Sequence, residues 1–304
     1  MCLDLQLRLL NAGIALKLQQ FAYRKTPSDR MENAMILLTA FRFTGLRIRW
    51  IASATLIALT TILSLSPTAQ AEDDAAQVLK AMSDYVSSQK SISLSFDSDI
   101  EVITPEIQKI QFTSSGKLLL RRPDKLRANR TGGYTDVELV FDGKTLTILG
   151  KNINAYAQSE VSGNVDTLVD VLRDQYSLEF PGADLLLSNP YNVLMADVLE
   201  AKHIGQGVVD GIECEHLAFR NQDTDWQLWI EVGEHPIPRK FVITSKATAA
   251  APQYTLLIKD WKTDAEIGAD AFAFQPPAEA KKVEIKTLRE IDEVPPGVIK
   301  GERE

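Results

Sequence analysis

Residues 91–102, Ser91-Ile92-Ser93-Leu94-Ser95-Phe96-Asp97-Ser98-Asp99-Ile100-Glu101-Val102, alternate without a break. Ile92, Leu94, Phe96, Ser98, Ile100 and Val102 fall on one face, and Ser91, Ser93, Ser95, Asp97, Asp99 and Glu101 on the other. A period of two sustained over such a length means a long strand with one face buried and one wet. That strand needs partners along both edges and a cover for its apolar face.

The flanking sequence supplies both. Upstream, Ala75, Val78, Leu79, Met82, Tyr85 and Val86 recur at helical spacing, with Asp73 and Asp74 near the positive N-terminal end, so Asp73–Val86 reads as an amphipathic helix. Downstream, Pro105 marks a turn and a second strand runs from about Ile107 to Arg121. Lys125–Arg130 is a third strand, ending at Thr131-Gly132-Gly133. Val137, Leu139 and Phe141 alternate up to Asp142-Gly143, a hairpin signal, and Thr145–Leu149 returns. Asn154–Val161 is a weaker strand. Consecutive strands without intervening helices indicate an antiparallel meander.

The middle of the chain is helical. Val165, Leu168, Val169 and Leu172 make a narrow apolar stripe with Asn164 as N-cap, Ala183–Leu187 follows Pro181-Gly182, and Pro190 opens a further short helix. Strands then resume from about Lys202, turning at Asp210-Gly211 into Ile212–Arg220. Trp226/Leu228/Ile230, Phe241/Ile243 and Tyr254/Leu256/Ile258 mark three more, and Pro276-Pro277 closes this half. The charged segment from Thr287 reads as a mobile tail.

Ahead of all this stands a leader. Arg42, Arg47 and Arg49 form a positive n-region, Ile51–Leu65 is an uncharged apolar run, and Ala69-Gln70-Ala71 gives the small-x-small pattern of a cleavage site. The run is shorter than the roughly 20 residues of a membrane-spanning helix, so a cleaved secretory signal is expected, with Glu72 as the first mature residue and no membrane anchor in the mature form. Met31 or Met35 would open a signal of ordinary length, and the residues before about 31 read as a mis-called start.

Removing residues 1–71 takes away eight Lys/Arg and three acids, leaving 25 basic and 38 acidic residues, a net charge of about −13. Such a surface repels phosphate backbones, which argues against nucleic acid as a partner. Cys2 lies in the leader, so Cys214 is alone in the mature chain and reads as a small buried hydrophobe. His203, His216 and His235 stand at no metal-ligand spacing, and no nucleophile elbow, phosphate-binding glycine loop or His-Glu-x-x-His motif occurs. The pairs Asp97/Asp99 and Glu213/Glu215 lie at i, i+2 on strand faces, as solvated residues do. No enzyme activity, metal or cofactor is expected. Lys117, Arg121, Arg122, Lys125, Arg127 and Arg130 form a basic island, read either as a charged sheet edge or as a docking or gating patch. Trp226, Trp229 and Trp261 read as core or as pocket lining.

Two segments carry a resemblance. Gly116-Lys117-Leu118-Leu119-Leu120-Arg121-Arg122-Pro123-Asp124-Lys125-Leu126-Arg127, followed by Asp142-Gly143-Lys144-Thr145-Leu146, is similar to the G-x-L-x-x-x-R-P-x-x-x-R … DG-x-x-L signature of the LolA/LolB-like lipoprotein-carrier superfamily. The N-terminal helix, the helical insertion and the late Phe272-Ala273-Phe274-Gln275-Pro276-Pro277 match that layout too, most closely in a group of predicted periplasmic proteins of unknown function. The resemblance implies an α+β fold: a curved, incompletely closed antiparallel β-barrel, or half-barrel, with short helices covering the concave face. It divides the chain into a 1–71 leader, a 72–286 half-barrel domain and a 287–304 tail. It also implies a periplasmic carrier or chaperone for a lipid, an acylated lipoprotein or a similar amphiphile, with Arg127 in the place of the arginine that holds the lid shut.

An apolar cavity is therefore expected between strand positions Phe96, Phe112, Leu118, Leu139 and Phe141 and the helix stripe Leu168, Val169 and Leu172. The alternative is a protein-interaction or envelope-stress sensor module on the same fold, with an envelope protein as partner and no bound lipid. A hydrolase using a carboxylate pair is the weakest reading, since no activated base is legible. N-terminal sequencing of the protein recovered from the periplasm is expected to begin at Glu72. A mature product starting upstream of Met31 would overturn the export signal.

Overall fold

The computed structural model describes residues 67–288 apart from 179 and 269, together with residues 291, 294, 295 and 298. The n-region and apolar run of the leader lie outside the described residues, as does most of the tail. Helix α1 (Pro67–Ser88) begins earlier than its apolar periodicity indicates, because proline is tolerated in the first helical turn. Ala75, Leu79, Met82 and Val86 form its buried face.

The meander follows as β1 (Ser91–Ile103), β2 (Lys109–Arg121), β3 (Lys125–Gly132), β4 (Asp136–Phe141), β5 (Thr145–Gly150) and β6 (Ala155–Glu160). Helix α2 (Val165–Tyr176), a 3-10 turn (Ala183–Leu186) and helix α3 (Pro190–Met195) form the insertion. Asn164 caps α2 as its position suggests, its Oδ1 accepting the Thr167 N–H at 2.9 Å. Strands β7 (Glu200–Val209), β8 (Ile212–Arg220), β9 (Thr224–Glu231), β10 (Pro238–Ser245) and β11 (Gln253–Thr263) complete the second half, and β12 (Lys281–Val283) comes last.

All twelve strands belong to one sheet in the order β12-β6-β5-β4-β3-β2-β1-β11-β10-β9-β8-β7. The two halves of the chain join where β1 pairs antiparallel with both β2 and β11. Only β12 on β6 is parallel, and β7 and β12 do not meet, so the curved sheet stays an open half-barrel. Edge strand β7 carries a bulge between His203 and Gly205.

Two apolar cores fill the concave face. In the first, α1, the 3-10 turn and α3 pack on β1 and β7–β11 through residues such as Leu79, Met82, Leu217, Leu228 and Phe241. In the second, Leu168 and Leu172 of α2 pack on Leu139, Phe141, Leu146 and Ile148 of β4 and β5.

After β11 the chain returns across the outer face. Ser91 Oγ donates to the Ala265 carbonyl, the Arg121 guanidinium lies 5.0 Å from the Phe272 ring, and the Phe274 ring sits 5.3 Å from Tyr156. The segment then adds β12 at the β6 edge and turns inward, where Ile285 and Leu288 join the second core. Leu288, the second residue of the segment read as a mobile tail, is buried there.

Gly116 shows how tightly the centre is packed. It pairs with Phe96 across the strands, and a Cβ there would lie 2.2 Å from the Asn129 carbonyl oxygen and 2.4 Å from Phe96 Cζ. Gly116→Ala is expected to cost about 1–3 kcal/mol through overpacking, read as a Tm lower by several degrees at about 2–4 °C per kcal/mol for a domain of this size. An unchanged Tm would show that the Phe96 ring does not need the space.

Candidate functional site

Between the two cores lies a cavity of about 140 Å3. Its floor comes from the central strands, with Phe96 of β1, Leu118 of β2, Ala128 of β3, Leu139 of β4 and Ile258 of β11. Its walls and roof come from Val165, Val169 and Leu172 of α2 and from the 180–186 lid, which includes Phe180, Gly182 and Leu186. Gly182 has φ +91°, and a Cβ there would stand 2.6 Å from Leu256 Cδ2, so the lid backbone approaches the floor as only glycine permits.

Of the residues expected to line a cavity, Phe96, Leu118, Leu139, Val169 and Leu172 do so. Phe141 and Leu168 do not: both are fully buried in the second core. Phe112 also lies outside. It pairs with Ile100 near the β1–β2 turn, on the correct face but beyond the end of the cavity.

Arg122, and not Arg127, makes the hydrogen bonds to the 180–188 segment. Arg122 Nη2 donates to the carbonyls of Leu186 and Leu187 at 2.8 and 3.2 Å, at the end of the lid's 3-10 turn. Burial pulls its pKa below the usual arginine value, with the nearby Asp166 charge opposing that shift. Two further links hold the lid to α2: Arg173 Nη2 meets Asp184 Oδ1 at 2.7 Å, and Asp166 accepts both the backbone N–H and the hydroxyl of Ser188. The β2–β3 turn anchors α2 as well, since the Pro123 carbonyl accepts the Val165 N–H at 2.9 Å.

Arg127 stands on the opposite face because strand alternation turns it away from Leu126 and Ala128. It pairs with Glu138 at 2.8 Å and donates to the Ala271 carbonyl at 2.9 Å, so it holds the outer segment rather than the lid. The basic island therefore splits. Arg122 and Arg130 serve the concave side, while Arg121 and Arg127 serve the outer segment.

Other residues singled out by type have separate settings. His203 pairs with Glu215, His216 stacks on Trp229 with ring centroids 4.1 Å apart, and His235 lies against Tyr85. Among the described residues no cluster of His, Cys, Asp and Glu is placed to hold a metal ion. Trp226 is core, its Nε1 donating to Asn221 Oδ1 at 3.1 Å, and none of Trp226, Trp229 and Trp261 lines the cavity. Cys214 is buried, which pushes its thiol pKa up.

Residues 75–286 match the DUF2092 family, described as a predicted periplasmic protein. The chain belongs to that family. No curated protein matches it. Its fold is similar to that of an uncharacterised conserved protein from Thermus thermophilus, at 12% identity over 69% of this chain and 99% of the other, with a TM-score of 0.43. It is also similar to the Mycobacterium tuberculosis lipoprotein LppX (12% identity, 65% and 100% coverage, TM-score 0.40). A LolA superfamily protein from Nitrosomonas europaea is a third such structure (12% identity, 66% and 98%, TM-score 0.30). Within the described residues of this DUF2092 chain, no helix is long and apolar enough to cross a membrane.

The two arginines make opposite predictions. Arg122→Ala is expected to speed amide exchange across the 180–188 lid at least tenfold, with residues 265–280 unchanged. Arg127→Ala is expected to do the reverse. Equal protection of the lid in both variants would show that the carbonyl bonds of Arg122 do not hold it.

Proposed function

We propose that this DUF2092 protein binds an amphiphile, such as a lipid or the acyl chains of a lipoprotein, in the cavity beneath the lid, and acts as a periplasmic carrier or chaperone. The observation that carries this reading is an apolar hollow roofed by a short segment that polar side chains tie down at its rim. Each buried methylene of a ligand contributes about 0.8 kcal/mol, so a chain of several carbons recovers what the loss of a few lid hydrogen bonds costs, at about 0.5–1.5 kcal/mol each.

The volume says what must move. An engineered cavity of about 150 Å3 holds one benzene, and pockets for drug-sized ligands run to about 300–1,000 Å3. At about 140 Å3 the hollow is too small for a long acyl chain, so uptake requires the lid to lift. Release of the Arg122 bonds to Leu186 and Leu187 is the step that frees it.

Ala128→Phe places a ring in the hollow from the floor strand. It is expected to weaken binding of a fluorescent fatty-acid probe at least tenfold while leaving Tm equal or higher. Leu172→Glu, which puts a charge against the same space, should abolish binding and lower Tm. Native mass spectrometry of protein purified from its own host, before and after solvent extraction, is expected to show a co-purifying lipid. If wild type takes up no apolar probe and carries no lipid, the hollow is a packing defect and the protein-interaction reading replaces this one.

A further inference from the structure

Lys117 is the member of the basic island that neither the lid nor the outer segment uses. Lys125 Nζ donates to the Asp142 carbonyl, and Arg121, Arg122, Arg127 and Arg130 have the partners described above. Lys117 is exposed on the outer face, and its ammonium group has no partner among the described residues. It lines a second hollow, of about 430 Å3, on the side of the sheet away from the lid. Two adjacent cross-strand rows build that hollow. One runs through Lys262, Ser93, Leu119 and Arg127 over β11, β1, β2 and β3, and the next through Ser95, Lys117, Asn129 and Glu138 over β1 to β4. Between Ser93 and Ser95, β1 advances two residues while β11 advances three, from Lys262 to Lys259, so β11 bulges. In unbroken alternation after Ile258 and Lys259, residue 260 would face the lid side. The bulge instead turns Asp260 outward, at φ +48°, where its Oδ2 accepts the Ser95 hydroxyl at 2.5 Å.

We propose that this outer hollow binds an anionic saccharide, a sugar bearing a carboxylate or a phosphate monoester. Its charged lining is Lys117, Lys262, Arg127, Glu138 and Asp260. Arg127 and Glu138 neutralise each other at 2.8 Å, and the neighbouring Lys259 is paired with Asp97. Lys262, like Lys117, is exposed and has no ion pair among the described residues. Two free ammonium groups thus face one carboxylate, a local positive balance in a chain of net charge −8. By strand and row spacing the two lysines have Cα atoms about 12 Å apart, so both side chains reach a ligand lying between them. The remaining groups suit hydroxyls, which donate and accept. Asn129 Oδ1 accepts the Lys117 N–H at 2.9 Å, which turns the Asn129 Nδ2 donors to the hollow. Glu138 Oε2 and Asp260 Oδ1 accept no bond from the described residues and are open to ligand hydroxyls. A bare anion would be repelled by those carboxylates, and a neutral sugar would leave the lysines unused. The size falls in the range of small-molecule pockets, about 300–1,000 Å3. The site shares no ligand with the cavity beneath the lid, so it stands apart from the carrier reading.

Titration of the nitrogen-15-labelled mature chain, followed by backbone amide shifts, tests it with glucuronate, glucose 6-phosphate, glucose and inorganic phosphate as probes. Glucuronate or glucose 6-phosphate is expected to shift the amides of residues 93–95, 117, 127–129 and 260–262, and to bind at least tenfold tighter than glucose or phosphate. Lys117→Gln and Lys262→Gln should each weaken that binding at least fivefold with Tm unchanged, since neither side chain holds the fold. Methyl glucuronide separates two sources of the same chemistry. Affinity equal to that of glucuronate means a sugar joined through its anomeric carbon to a glycan or glycolipid, and loss of binding means the free sugar acid. Inorganic phosphate binding as tightly as glucose 6-phosphate overturns the proposal in favour of a simple anion site, and glucose binding as tightly as glucuronate overturns the role of the lysines. It also falls if no probe shifts these amides, or if both lysine variants bind as wild type does.

Discussion

A sheet of twelve strands is wider than the helices of this chain can cover, and that mismatch organises the molecule. Every strand presents apolar residues on its concave side, and those residues must be shielded from water. Helix α1 shields the β7–β9 end and α2 shields the β4–β6 end, each forming its own core. The span between them, over β1, β2, β3 and β11, receives only the 180–187 segment with its single 3-10 turn. A segment without a helical side-chain stripe cannot fill the space beneath it to native density. The hollow is therefore a consequence of sheet width, and it falls where the two halves of the chain meet at β1.

The same geometry sets a hierarchy of stability. Helices α1 and α2 are held by fully buried leucines, whose exposure costs several kcal/mol each. The lid is held at its rim by Arg122, Arg173–Asp184 and Asp166–Ser188, individually weaker and partly open to solvent. The same segment also buries Leu185 and Leu186 in the first core, so lifting it exposes those side chains as well as breaking the rim bonds. Gly182 at the lid's closest approach lets the segment lie down again without a steric penalty.

Much of this is legible in the sequence, and the failures have physical causes. The alternation at 91–102, the Asp142-Gly143 hairpin and the Asn164 cap act locally, so they specify β1, the β4–β5 pair and α2 directly. The cavity floor follows from strand parity, which is why Phe96, Leu118 and Leu139 are readable as lining. Depth along a strand is not readable: Phe112 has the right parity but lies past the cavity's end, and Phe141 is sealed off by α2. Arg127 misleads because its place in the motif suggests the lid while its parity points away from it. It alternates with Leu126 and Ala128, whereas Arg122 sits in the turn, where alternation no longer applies and a long side chain reaches the lid. The segment after β11 lacks any period. Its course depends on Arg121, Arg127 and Asn154, far away in sequence, and no local signal announces it.

The bulge in β7 bears on how such a protein survives at high concentration. An open sheet leaves backbone donors and acceptors along its last strand, a template on which further chains can polymerise. One end here is masked by the parallel pairing of β12 with β6. At the other, the irregularity between His203 and Gly205, with Gly205 at φ +125°, breaks the regular ladder of hydrogen-bonding groups, and Lys202 adds an exposed charge. Ile204 and Val208 are 54% and 67% exposed on that strand, sticky enough to favour fibre growth were the edge straight. On the carrier reading proposed above, lifting the lid would bare apolar surface, and a β7 margin that resists strand-on-strand growth would keep adhesion confined to the hollow.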